Sequence, residues 1–242
     1  MEEKDKLESV EKMPEKKAKK KKAVSILFKI NKKGLHVSPC MSFLRTCILP
    51  LVRLFYPFKT VGCKKVPDGP LVYVSNHYRM IDPMYILPTT QEGIHFIAKK
   101  EAADIPVFGY FIKKVKTIYV NRDGNDVRAI MDAQKCLKNG EKIAIYPEGK
   151  RNKTDAQFLP FNSGSALLAI RAKAPIVPIV ITPKPRFLRK TYALIGEPFE
   201  LSEYYGIKLT EEILKEADDK ILQAMKDLLD AHEQSLADKG KK

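Results

Sequence analysis

Leu71-Val72-Tyr73-Val74-Ser75-Asn76-His77 is the stretch on which the reading of the fold turns. Its apolar, β-branched run predicts a short buried strand, and the strand leads straight into polar residues. The same pattern returns at Ile94-His95-Phe96-Ile97, Thr117-Ile118-Tyr119-Val120, Ile143-Ala144-Ile145-Tyr146, Ile176-Val177-Pro178-Ile179-Val180-Ile181 and Tyr192-Ala193-Leu194-Ile195. Between strands, residues 126–138 put Val127, Ile130, Met131, Gln134 and Leu137 near helical spacing and stop at Asn139-Gly140. Residues 162–173 read as a second helix. Strands alternating with helices predict an α/β domain with a mostly parallel central sheet flanked by helices. Residues 210–236 place Ile213, Leu214, Ala217, Ile221, Met225 and Leu228 on one face, predicting a long amphipathic helix packed on that domain.

The N-terminal quarter has a different character. Residues 1–33 hold 12 lysines against six acidic residues and almost no large apolar groups until 24, so they read as a basic tail expected to be disordered. Two readings of the tail stay open, a solubilising segment and an electrostatic tether to anionic lipid headgroups. Residues 34–58 form the next unit. Within 41–57 nearly every position is apolar except Arg45, Thr46, Pro50 and Arg53. Spanning a bilayer takes roughly 20 apolar residues, and this stretch is shorter and carries two arginines. Arg45 and Arg53 fall about 80° apart on a helical wheel, so they can share a polar stripe on a helix lying in a membrane interface. The alternative is a core helix kinked at Pro50. Residues 59–242 make the α/β domain.

The chain has a formal net charge of +15, and a net +9 remains without residues 1–33. A basic protein of this kind favours anionic partners: nucleic acid, an anionic bilayer, a phosphorylated substrate or an acidic protein. The four cysteines, Cys40, Cys47, Cys63 and Cys136, are scattered without C-x-x-C or metal-ligand spacing and read as reduced thiols. No apolar secretory core follows the N-terminus, so export is not expected.

Two segments carry chemistry. His77 lies just past a strand end, where α/β proteins place ligands, and Asp82 before Pro83 reads as the N-cap of a helix. On a continuous helix the two side chains would diverge by about 140°, so pairing them requires a turn. Paired, the carboxylate fixes one imidazole nitrogen as donor and leaves the other free to take a proton from a hydroxyl. In the second segment, Pro147-Glu148-Gly149-Lys150-Arg151-Asn152, Gly149 permits a sharp turn, Arg151 offers a fork for two phosphate oxygens, and Glu148 either holds Arg151 or bonds a substrate hydroxyl. Arg122 follows a third strand, so His77, Arg122 and Arg151 are expected at one sheet edge. Read singly, each segment is equally a capped turn or a solvated charge run.

The ordered series Asn76-His77-x4-Asp82-Pro83, Lys99-x-Glu101 with Pro106-x-x-Gly109, Arg122, Pro147-Glu148-Gly149-x-Arg151, Phe161-x-x-Gly164 and Pro175-Ile176-Val177-Pro178 resembles the lysophosphatidic acid acyltransferases, the glycerolipid acyltransferase family. It extends over about residues 43–196. The resemblance implies transfer of a fatty acyl group from acyl-CoA or acyl carrier protein to the free hydroxyl of lysophosphatidic acid, giving phosphatidic acid. It implies His77 as general base with Asp82 as partner, and a phosphate site of Arg122, Glu148, Gly149, Lys150 and Arg151. Pro178 would line the acyl-binding region. No metal or resident cofactor is implied, only the thioester co-substrate. The implied location is the cytoplasmic face of a membrane, peripheral or monotopic, with an anionic lipid surface as partner. The chain departs from the family at Arg79, where serine is usual, and at Lys150-Arg151-Asn152, where Thr-Arg-Ser is usual; both add positive charge that bears on acceptor choice. Rival readings are another acceptor (glycerol-3-phosphate, a different lysophospholipid or an amino-lipid), a catalytically silent lipid binder, or a basic nucleic-acid-binding protein. The last lacks any zinc-finger or RNP motif, and no nucleic acid is expected.

Overall fold

A computed structural model describes residues 38–63, 66–121, 126–162 and 164–240. The basic tail and Arg122 therefore lie outside the described residues. Among the described residues seven strands form one sheet: β1 (Phe58–Gly62), β2 (Leu71–Ser75), β3 (Ile94–Lys99), β4 (Ile118–Val120), β5 (Lys142–Ile145), β6 (Ile176–Thr182) and β7 (Thr191–Ile195). Their spatial order is β1-β7-β6-β2-β5-β3-β4. Every adjacent pair is parallel except β6 and β7, which run antiparallel as a hairpin.

The strands form because both faces are covered. All five residues of β2 are buried, as expected for a central parallel strand without a solvent face. Val72, Val74, Ile143, Ile176 and Val180 point into one apolar layer, beneath helices α5 (Val127–Lys138), α6 (Gly164–Ala172) and α7 (Glu211–Gly240). Leu71, Tyr73, Ala144, Val177 and Ile179 point into the other. That second layer is closed by the N-terminal helix and by α3 (Pro83–Ile86) and α4 (Phe108–Lys114). β1 is an addition to the sequence reading. It is a half-exposed edge strand bearing Lys59, so it shows no continuous apolar run, and it pairs only with β7.

The N-terminal helix runs as α1 (Pro39–Phe43), a π-turn (Leu44–Ile48) and α2 (Leu49–Phe55). Pro50 has no N–H and its ring crowds the preceding turn. The helix accommodates it by widening: the amide of Leu49 reaches the carbonyl of Leu44, five residues back. Met41, Leu44 and Leu49 are buried against the sheet, whereas Phe43, Leu51, Leu54 and Phe55 stay exposed. The two arginines do not share a polar stripe. Arg45 turns inward and donates to the carbonyls of Gln91 (2.7 Å) and Glu92 (2.5 Å), while exposed Arg53 lies over the Phe58 ring. Among the described residues, no helix is long and apolar enough to cross a membrane.

Candidate active site

β2 and β5 are neighbours running the same way, so the segments that follow them emerge side by side at the carboxyl edge of the sheet. Beyond Ser75 the strand is continued by a side chain. The Asn76 amide accepts from the Ile181 N–H at 2.8 Å and donates to the Ile181 carbonyl at 3.0 Å, mimicking a peptide unit while the backbone leaves the sheet. His77 is the first residue free of the ladder.

The chain then folds back over Asp82. One carboxylate oxygen, Oδ2, accepts from the backbone N–H of Tyr78 (2.6 Å) and of Arg79 (2.7 Å) and meets His77 Nδ1 at 2.8 Å. This corrects the expectation that Asp82 caps the following helix. It occupies the N-cap position of α3 but its side chain makes no bond to that helix. The two amides of the preceding turn claim the carboxylate instead, and this turn closes the 140° gap between the side chains. Asp82 is fully buried, while the His77 side chain keeps 18% of its exposure. An oxygen already accepting two N–H groups is an acceptor toward the ring as well, so Nδ1 carries the proton and Nε2 presents its lone pair. The ring also stacks on Tyr146 with centroids 4.2 Å apart and planes 21° apart. Histidine is thus held by its edge and by its face.

The second segment is tied to the first by its backbone, since the N–H of Asn152 donates to the His77 carbonyl at 2.6 Å. Gly149 turns the loop with φ +63°, and a Cβ there would lie 2.7 Å from the Asn162 amide nitrogen. This turn sends the flanking side chains in opposite directions. Lys150 and Arg151 are exposed, whereas Glu148 is buried to 2%. Glu148 neither holds Arg151 nor presents itself with it as one phosphate claw. Its oxygens complete no hydrogen bond among the described residues. Burial pushes its pKa up to about 7, partly opposed by the amides of His77 and Leu159. Asn152, fully buried, accepts from the N–H and hydroxyl of Thr154 and donates to the Ala156 carbonyl, which shapes the rest of the loop.

Arg79 lies exposed beside the site and donates Nε to the Pro185 carbonyl at 2.6 Å. Pro178 is not brought to the site. It is buried in mid-strand opposite Val74, and its ring approaches Gly196 from the side that Leu228 of α7 covers. Asn76, Tyr78, Tyr146 and Gln157 were given no role by sequence reasoning. Tyr78 donates its hydroxyl to the Gln157 carbonyl at 3.1 Å, and Gln157 Nε2 donates to the Ile181 carbonyl at 3.1 Å. Only Asn76, adjacent to the histidine at a strand end, carried a readable signal.

All four cysteines are unpaired. Among the described residues, one group has metal-ligating atoms together, His95, Cys136 and Glu141. It sits at the opposite edge of the sheet, and each member is already engaged. His95 Nδ1 lies 2.9 Å from the Lys116 carbonyl, Glu141 is 3.8 Å from the Lys116 ammonium, and burial with the Glu141 charge pushes the Cys136 thiol up to about 11.

A mostly parallel sheet that holds a carboxylate-oriented imidazole and a basic loop at its carboxyl edge defines an α/β domain equipped for base-assisted group transfer. The Acyltransferase family profile matches residues 58–182, and the chain belongs to that family. It is 29% identical over 134 residues to the 1-acyl-sn-glycerol-3-phosphate acyltransferase of Helicobacter pylori, covering 52% of this chain and 56% of that one. It is 32% identical over 114 residues to the human 1-acyl-sn-glycerol-3-phosphate acyltransferase beta, covering 46% and 41%. The matches span about half the length of these curated relatives, or less. The fold is similar to the crystal structure of the 1-acyl-sn-glycerophosphate acyltransferase PlsC from Thermotoga maritima, with a TM-score of 0.54, 24% identity, and coverage of 75% of this chain and 79% of that one.

Proposed function

We propose that this protein transfers a fatty acyl group from an acyl-thioester to the free hydroxyl of lysophosphatidic acid, forming phosphatidic acid at a membrane surface. The observation that carries the reading is the 2.8 Å contact between His77 Nδ1 and buried Asp82, which leaves Nε2 open beside a loop bearing Lys150 and Arg151. Family membership supplies the reaction class.

In this mechanism His77 Nε2 removes the acceptor hydroxyl proton as the oxygen attacks the thioester carbonyl carbon. Asp82 stabilises the imidazolium that forms. The tetrahedral intermediate collapses by breaking the carbon–sulfur bond, and the departing thiolate takes the proton from the imidazolium. A thioester is activated already, so positioning and charge stabilisation account for the remaining rate. Arg151 and Lys150 bind the acceptor phosphate, and both are exposed without an ion pair among the described residues. The apolar outer face of α1 and α2 lies in the bilayer interface, holding the site at its lipid substrates.

An acyl-transfer assay with lysophosphatidic acid, offering acyl-CoA and acyl carrier protein in parallel, tests the reading. His77→Ala should lower turnover by about 100- to 10,000-fold with the fold intact. Near-normal turnover in that variant would refute His77 as base, and absence of phosphatidic acid with either donor would refute the function.

A further inference from the structure

The loop joining β6 to β7, residues 183–190, contains four cations and no acid. At its tip Phe187 and Leu188 are 60% and 62% exposed. Such a composition is costly as a water-facing surface, because two large apolar side chains remain hydrated where serine or lysine would serve. The tip is nevertheless fastened. The Leu188 N–H donates to the Phe55 carbonyl at 2.7 Å, and the Phe187 ring stacks on Phe55 at 5.8 Å. This makes the tip continuous with the exposed apolar end of α2. The base of the loop is fastened on its other side to the site: Pro185 accepts from Arg79, whose own backbone N–H bonds Asp82.

We propose that residues 183–190 form a second bilayer contact in which Phe187 and Leu188 insert between headgroups and Arg186 and Arg189 bind anionic lipid phosphates. The proposal rests on the membrane-surface reading above and assigns to this loop the task of setting the His77–Asp82 turn at the lipid boundary. Two exposed apolar residues flanked by cations are the pattern that partitions into an anionic interface. The absence of any acid in the loop argues for headgroups as its occupant. Arg79 links the loop to that turn through the Pro185 carbonyl.

Cosedimentation of the full chain with vesicles of phosphatidylcholine, with and without phosphatidylglycerol, tests this. Phe187→Ser combined with Leu188→Ser should weaken vesicle binding by about tenfold or more, and Arg186→Gln combined with Arg189→Gln should reduce the preference for phosphatidylglycerol by about tenfold or more. Both variants should keep wild-type turnover on a short-chain lysophosphatidate held in solution as monomers. Vesicle affinity within about twofold of wild type in the apolar variant overturns the insertion, and a phosphatidylglycerol preference within about twofold of wild type in the arginine variant overturns the headgroup contact. Loss of turnover on the dissolved acceptor in either variant also overturns the proposal, because the loop would then be acting through the site's own structure. A wild-type protein that binds vesicles through this loop but never acylates the dissolved acceptor would refute the acyltransfer reading and leave the bilayer contact standing.

Discussion

At the scale of single residues the site separates two carboxylates by environment. Asp82 has two backbone N–H groups and an imidazole converging on one oxygen, Oδ2, while its buried Oδ1 makes no hydrogen bond among the described residues. Glu148 is buried without a completed hydrogen bond and keeps its proton up to about pH 7. The unfolded chain releases that proton near the ordinary value of 4.5. Between about pH 5 and about pH 7 the unfolded state is therefore the one that has lost the proton, and folding stability falls as pH rises through this window before levelling above it. Glu148→Gln should remove this part of the slope, so its urea midpoint relative to wild type should be higher at about pH 8 than at about pH 5. Equal differences at both values would contradict a buried, late-titrating Glu148. The sequence placed Glu148 correctly in the loop but not its direction, because whether a side chain points in or out depends on the positive φ of Gly149 and the packing behind it.

At the scale of elements, the C-terminal helix contributes more than apolar area. Asp218 lies on the buried face of α7, where it accepts from the Ser165 hydroxyl at 2.7 Å and from the Ala166 N–H at 3.1 Å. These are first-turn groups of α6, so one helix caps another across the core. Burial pushes the Asp218 carboxyl up to about 6, the two donors opposing the shift. Asp218→Ala should cost about 1–3 kcal/mol by leaving α6 donors unsatisfied, and Asp218→Asn should cost less because it keeps an acceptor without a buried charge. Urea unfolding of the two variants checks the order. The amphipathic pattern of residues 210–236 was legible as a helix, and the observed α7 continues to Gly240. The acid on its apolar face gave no hint of α6 as partner, since the pairing is 53 residues distant in sequence.

At the scale of the whole molecule, the N-terminal helix is anchored to the domain by a chain of polar contacts on the sheet edge opposite the site. Arg45 holds the carbonyls of Gln91 and Glu92. The Glu92 side chain pairs with Lys142 at 3.2 Å, and Lys142 also donates to the carbonyls of Pro67 and Gly69 at 2.7 and 3.0 Å. Lys142 is 1% exposed, so these partners replace the water its ammonium loses on burial. Lys142→Met should lower stability by about 3–5 kcal/mol by breaking this buried ion pair and its two carbonyl contacts, measured as the loss in unfolding free energy. It should also increase amide exchange at Gln91 and Glu92. A loss below about 1 kcal/mol would mean that this network contributes little to holding the helix.

The sequence by itself determined the α/β class, six of the seven strands and the amphipathic C-terminal helix, because these rest on local periodicity and turn chemistry; it offered the pairing of His77 with Asp82 as one reading beside a capped turn, and the 2.8 Å contact decided it. Only the tertiary structure decided that Asp82 binds its own preceding turn, that Tyr146 supports the imidazole, that Glu148 faces inward and Arg151 outward, and that Pro178 lies away from the site. The support of His77 by Tyr146 and the placing of Pro178 depend on strands distant in sequence, while for Asp82 and Glu148 burial and competition for hydrogen bonds choose among side-chain directions that local sequence leaves equivalent.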